Sequence, residues 1–261
     1  MSRGTIYSYG CSFSTRQLVP KEKSWVYLTA KHYDVKYEAW GVGGSEYHEA
    51  YHKLLFSMKS FKKGDLIIFQ FTDHNRIGVN FNNRYFTTAS LPNNENNQLS
   101  HKINYHKDVL HLDREFEDYT SLYEFANTWA IGQIFYHYWM VWNLLQYLKE
   151  TVGIDFILLF LDQTWTNVIP SEHYSNIPYF PVKNPQETST YKLKDPCKNV
   201  SLGYFCWDMG YAIGLDESYS HEPIWHPNDG HPGDMGNIEI SRHIVKHINE
   251  KWGETNPWYK I

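Results

Sequence analysis

Thr5-Ile6-Tyr7-Ser8-Tyr9-Gly10-Cys11-Ser12-Phe13-Ser14 is the stretch from which the fold can be read. A short β-prone run, Ile6 to Tyr9, stops at Gly10, and a serine follows two residues later. This pattern predicts a buried strand that breaks into a tight turn at the mouth of a helix. A serine held there presents its Oγ at the carboxyl edge of a sheet, with its N–H pointing outward where an anion can bind.

The rhythm continues downstream. Trp25, Val26, Leu28 and Thr29 fall at helical spacing within residues 23–33, and residues 34–40 alternate as a second strand. Gly41-Val42-Gly43-Gly44-Ser45 then forms a glycine-rich turn before a second helical pattern of Tyr47, Tyr51, Leu54, Leu55 and Met58. Gly64-Asp65 marks a turn into Leu66-Ile67-Ile68-Phe69-Gln70-Phe71, a nearly continuous apolar run suited to a strand buried on both faces. Strands separated by helices imply parallel βαβ units.

Residues 75–120 break the pattern. They are rich in asparagine and carry a hairpin signal at Asn82-Asn83. Residues 121–150 are the strongest helix in the chain. Leu122, Phe125, Trp129, Ile134, Phe135, Tyr138, Val141, Trp142, Leu145 and Leu148 cover a face broad enough to pack against both the sheet and the 75–120 segment. Phe156–Leu161 follows as a fourth strand, residues 162–220 are irregular, and a last helix starts near Asp234. The expectation is one α/β domain over residues 1–261: a three-layer α/β/α sandwich with a flavodoxin-like parallel sheet. Its two large insertions span about 75–120 and 162–220.

Composition narrows the functional classes. The chain has 261 residues and a formal net charge of −5 with no basic block, which argues against a nucleic-acid partner. No apolar run reaches transmembrane length, and Met1-Ser2-Arg3-Gly4-Thr5 lacks the apolar region of a signal peptide. Cys11, Cys197 and Cys206 form neither a disulfide framework nor a zinc pattern. The reading is a protein made in a reducing cytoplasm. Cys11 is expected to be a free thiol turned into the fold, opposite to Ser12. His221, His226 and His231 recur every five residues, a spacing that suits no chelate, so neither metal nor cofactor is expected. Aromatics make up 17 % of the chain. Those of residues 119–142 read as core, whereas those in 75–120 and 165–210 are the candidates for stacking on sugar rings.

In an open parallel sheet, ligands bind outside the carboxyl ends of the strands. Ser12, Gly43-Gly44 and Thr72-Asp73-His74-Asn75 fall at three such ends, and Asn228-Asp229-Gly230-His231-Pro232-Gly233 directly precedes the last helix. These are the parts of an acyl-transfer site. Ser12 can attack, His231 can take its proton, and a neighbouring acid or amide can hold the imidazole. The N–H groups of Ser12 and Gly44 can stabilise an oxyanion.

The four blocks resemble the SGNH (GDSL-type) hydrolase superfamily, and more closely its phage-encoded branch that opens with Gly-Cys-Ser-Phe. The resemblance runs from Gly10-Cys11-Ser12-Phe13-Ser14 to Asp229-Gly230-His231-Pro232. It implies metal-free hydrolysis of small esters, often acetyl esters on polysaccharides, with Ser12 as nucleophile, Gly44 as oxyanion donor and His231 as base. It also implies an acylated glycan as partner and the option of association with other virion proteins. Two positions depart from the family pattern. The third block, where the family supplies an asparagine amide, reads Asp73, with Asn75 two residues later and Arg76 beyond it. The acid expected three residues before the histidine is Asn228, with Asp229 next to it. A catalytically silent SGNH-like module, structural or glycan-binding, is therefore the alternative expectation.

Overall fold

The computed structural model describes residues 4–11, 14, 20–41, 47–72, 78–81, 84–87, 119–160, 165, 168–181, 200–202 and 234–253. Among these, the backbone alone is described for 78–81, 84–87, 119–131, 179–181, 200–202 and 235. Four parallel strands, β1 (Thr5–Tyr9), β2 (Lys36–Ala39), β3 (Leu66–Phe71) and β6 (Asp155–Phe160), form one sheet in the order β2-β1-β3-β6. Two antiparallel pairs stand apart from it, β4 (Gly78–Phe81) with β5 (Arg84–Thr87), and β7 (Tyr179–Pro181) with β8 (Val200–Leu202). The first is the hairpin expected at Asn82-Asn83. The second, with the 3₁₀ stretch Ser171–Asn176, gives regular structure to a region that reads as irregular.

The period of two along each strand divides the core into layers. Ile6, Leu66, Ile68, Ile157 and Leu159 face α1 (Trp25–Tyr33) and α4 (Asp234–Trp252), and pack on Trp25, Tyr33, Ile240, Ile244 and Ile248. Tyr7, Tyr9, Ile67, Phe69, Phe71, Phe156 and Leu158 face the opposite layer. There α2 (Tyr47–Ser57) and α3 (Tyr119–Val152) contribute Tyr47, Leu54, Tyr138, Val141 and Leu145. The result is the expected three-layer α/β/α sandwich. Of the broad apolar face read for α3, Phe135 is exposed, and so are Tyr136 and Tyr147 on the same helix.

Local chemistry fixes the boundaries. Ser24 caps α1 by accepting from the Tyr27 N–H at 3.4 Å. The helix ends at Asp34, which takes a left-handed conformation with φ 54°. At the amino edge of the sheet, the Asp65 carboxylate accepts from the N–H groups of Thr5 and Lys62, both at 2.7 Å. On one face of the sheet, α1 and α4 lie side by side in parallel register. Lys23 pairs with Asp234, the Trp25 N–H donates to Asn237 Oδ1 at 2.9 Å, Thr29 Oγ1 meets Ser241 Oγ at 3.0 Å, and the Tyr33 hydroxyl donates to Asn249 Oδ1 at 3.0 Å. Because α1 starts from the carboxyl edge after β1, this register brings the start of α4 to that same edge.

Candidate active site

Ser12, Gly44, Asp73, Asn75, Asp229 and His231 all lie outside the described residues. Their described neighbours are Cys11 and Ser14, Gly41 and Tyr47, Thr72, and Asp234. Each of these stands where a strand ends or a helix begins at the carboxyl edge of the sheet. The described flanks of four segments distant in sequence thus come to one edge.

Around Ser12 the framework is specific. The Ser14 N–H donates to the Cys11 carbonyl at 2.9 Å. Cys11 is a buried free thiol, as its position beside Ser12 predicts. The Ser14 hydroxyl donates to Gln70 Oε1, and Gln70 Nε2 donates to Cys11 Sγ at 3.4 Å. Ser14 is 1 % exposed and its proton is committed to Gln70, so among the serines of this block it is a structural group.

Gln70 is the residue that sequence reading missed. It sits in β3 inside a run read as nearly continuous apolar, on the same face as Leu66 and Ile68, and it is fully buried. A buried amide must satisfy both its oxygen and its nitrogen, and Ser14 and Cys11 provide the partners. The register Tyr9↔Phe69 sets Gly10 opposite Gln70. A Cβ on Gly10 would lie 2.6 Å from Gln70 Oε1, 2.6 Å from Ser14 Oγ and 2.8 Å from Gln70 Cβ. Glycine at position 10 is therefore required by close approach rather than by unusual φ. The only advance signal was a glutamine interrupting an aliphatic and aromatic strand.

A second set of contacts ties the end of β3 to the start of α2. Trp165 donates its indole N–H to the Thr72 carbonyl at 2.8 Å, and its ring lies 4.7 Å from Phe71 and 5.4 Å from Tyr47. The Tyr47 hydroxyl lies 2.8 Å from His137 Nε2. Burial, reinforced by His48, pushes His137 down to about 3, so it is a neutral imidazole at neutral pH. This cluster holds Tyr47, the described residue after the Gly43-Gly44 segment, and Thr72, the residue before Asp73, and none of its members was picked out from the sequence as part of a site.

Comparison of the chain with protein-family models, with curated proteins and with solved structures gives no match. The functional reading rests on the residue types and on the edge at which their described neighbours lie.

Proposed function

We propose that this chain is a serine esterase of the SGNH type, acting on a small acyl ester, most simply an O-acetyl group, of a surface glycan. The observation that carries the reading is the lock of Gly10, Cys11, Ser14 and Gln70 around position 12, at the carboxyl edge of an all-parallel sheet. A nucleophile needs a fixed setting, and the residues flanking Ser12, Cys11 and Ser14, are held by buried hydrogen bonds to Gln70.

In the proposed reaction Ser12 Oγ attacks the ester carbonyl carbon while His231 accepts its proton. The tetrahedral oxyanion is met by the N–H groups of Ser12 and Gly44, with Asn75 as a further amide. The carbon–oxygen bond to the sugar then breaks, and the leaving oxygen takes the proton back from His231. Water, deprotonated by His231, attacks the acyl-serine, and release of the carboxylic acid restores Ser12. Asp229 orients the imidazole and stabilises it when charged. No metal or cofactor takes part.

Incubation with a fluorophosphonate serine probe, followed by mass spectrometry, tests this directly. One adduct on the wild type that is absent from Ser12→Ala, and roughly 10³-fold slower to form in His231→Ala, is the expected result. A folded wild type that forms no adduct refutes the esterase.

A second reading is favoured by Asp73. A carboxylate where an oxyanion donor is expected repels the developing charge, and loss of one such donor costs about 3–4 kcal/mol of transition-state stabilisation. On that reading the protein is a silent module of the same fold that binds glycan or other virion proteins. It is the reading that survives if the probe leaves Ser12 unmodified.

A further inference from the structure

At the carboxyl end of β2 lies a hollow of about 420 Å³, bounded by Lys21, Tyr37, Glu38 and Trp40. Among the described strands β2 is an edge strand of the sheet. Its alternate side chains stand on opposite faces, so Tyr37 and Glu38 flank the free edge and the hollow wraps around it. The Trp40 N–H donates to the Ser8 carbonyl at 2.8 Å, and Ser8 is in register with Ala39. In a parallel ladder this directs the backbone N–H and C=O of Ala39 away from β1, into the hollow.

The side chains form a consistent set. Trp40 is 42 % exposed, in contrast to Trp25 and Trp165, which are buried. Its indole N–H donates to Glu38 Oε2 at 3.2 Å, which fixes the ring and leaves Glu38 Oε1 to accept from elsewhere. The Lys21 ammonium lies 5.3 Å from the centre of the Tyr37 ring, held over its face with N–H groups to donate. An oriented open aromatic face, one fixed carboxylate, one ammonium and an outward-facing peptide group meet within a single hollow.

On the reading of the chain as a glycan esterase, we propose that this hollow is a pyranose subsite that holds one ring of the substrate glycan beside the reacting ester. A pyranose carries both complements of the site. Its axial C–H face is apolar and packs on an indole, and its equatorial hydroxyls both donate and accept. Glu38 accepts from adjacent hydroxyls, Lys21 donates to a ring or hydroxyl oxygen, and Trp40 covers the C–H face. The position fits the role, since the hollow opens at the edge where β1 ends in the Gly10-Cys11 turn and contains the start of the segment leading into α1.

Saturation-transfer NMR with the methyl glycosides of glucose, galactose, mannose, rhamnose and N-acetylglucosamine provides the test. The wild type is expected to bind at least one of them with a Kd on the order of millimolar. Trp40→Ala is expected to weaken that binding about tenfold, Trp40→Phe to retain most of it, and Glu38→Gln to weaken it about fivefold. Far-UV circular dichroism on the same samples establishes that each variant is folded. No transfer from any glycoside to the wild type, or equal binding by wild type and folded Trp40→Ala and Glu38→Gln, overturns the subsite. Fluorophosphonate labelling of the same preparations separates the two ideas. Trp40-dependent binding without labelling of Ser12 keeps the subsite and removes the esterase, whereas labelling without Trp40-dependent binding does the reverse.

Discussion

Replacing Gly10 by alanine adds one methyl group where the structure has no room for it. Ordinary carbon contacts lie near 3.5–4.0 Å, but the new Cβ would sit 2.6 Å from Gln70 Oε1, 2.6 Å from Ser14 Oγ and 2.8 Å from Gln70 Cβ. Gln70 cannot swing away, because its strand is buried throughout and paired on both sides, with Gln70 in register with Leu159. Relief requires either separating β1 from β3 or expelling the amide from Ser14. Overpacking of this kind costs about 1–3 kcal/mol, and leaving the Ser14–Gln70 pair unmade adds about 1–2 kcal/mol. The expected loss is about 3 kcal/mol, which for a chain of this size lowers Tm by about 6–12 °C. Urea unfolding followed by both circular dichroism and tryptophan fluorescence measures it. A double-mutant cycle identifies the cause: in a Ser14→Ala background one of the clashing atoms is gone, so Gly10→Ala costs about 1 kcal/mol less than in the wild type. A Gly10→Ala protein within about 2 °C of the wild type, or strict additivity in the cycle, refutes the lock as drawn.

Two buried titrations make stability rise with pH, in two separate ranges. His137 is enclosed beside Tyr47 and His48 and held to about 3, so in acid the unfolded chain takes up a proton that the folded chain refuses. Its contribution is complete above the usual histidine value of 6.5 and is lost as pH falls toward 3. Between pH 6.5 and 5 this amounts to about 2 kcal/mol, and His137→Leu flattens that limb of the urea-midpoint profile while lowering stability at pH 7. An unchanged acid slope contradicts the assignment. Lys251 donates to Asn176 Oδ1 at 2.7 Å, and burial, aided by Lys149 and opposed by Asp155, brings it down to about 8. The folded state sheds this proton first, so stability rises as pH increases from about 8 toward the ordinary lysine range, and Lys251→Met removes the rise. Buried Tyr33 and Tyr138, both pushed up by burial, act the other way above pH 10, so the comparison with the wild type is made below that value. Equal slopes for the two proteins between pH 8 and 10 refute the prediction.

The sandwich was legible because its layers are written in short periods. Leu66–Phe71 is long enough and apolar enough to be a central strand, and the helices following β1 and β2 have faces spaced for one side of a sheet. Boundaries shifted where a single side chain decides them. The helical pattern reads from Lys23, but Ser24 supplies the cap and Lys21–Lys23 forms a 3₁₀ turn before it. The second strand reads from residue 34, but Asp34 is the left-handed end of α1 and the Val35 N–H is bonded back to Ala30 O at 3.1 Å, leaving Lys36 as the first paired residue. β7 and β8 escaped because three residues, one of them Pro181, carry no period.

The site divides along the same line. Residues of the kinds that chemistry needs announce themselves by type and by position after a strand, which is why Ser12, Gly44, Asp73, Asn75, Asp229 and His231 stand out in the sequence and carry the proposal. Residues that make chemistry feasible do so through partners far along the chain, and no local pattern reports a partner. Gln70 looks like a flaw in a strand until Ser14 and Cys11 are placed against it, and Gly10 looks like a turn signal until Gln70 fills the space its side chain would take. Trp40 looks like the last residue of a strand until its indole is found fixed by Glu38 and open to solvent. Stacking aromatics were sought in the two long insertions, where composition points. Most of those segments lie outside the described residues, and the aromatic proposed for stacking stands on an edge strand of the described sheet, where a parallel sheet leaves backbone and side chains open to meet a ligand.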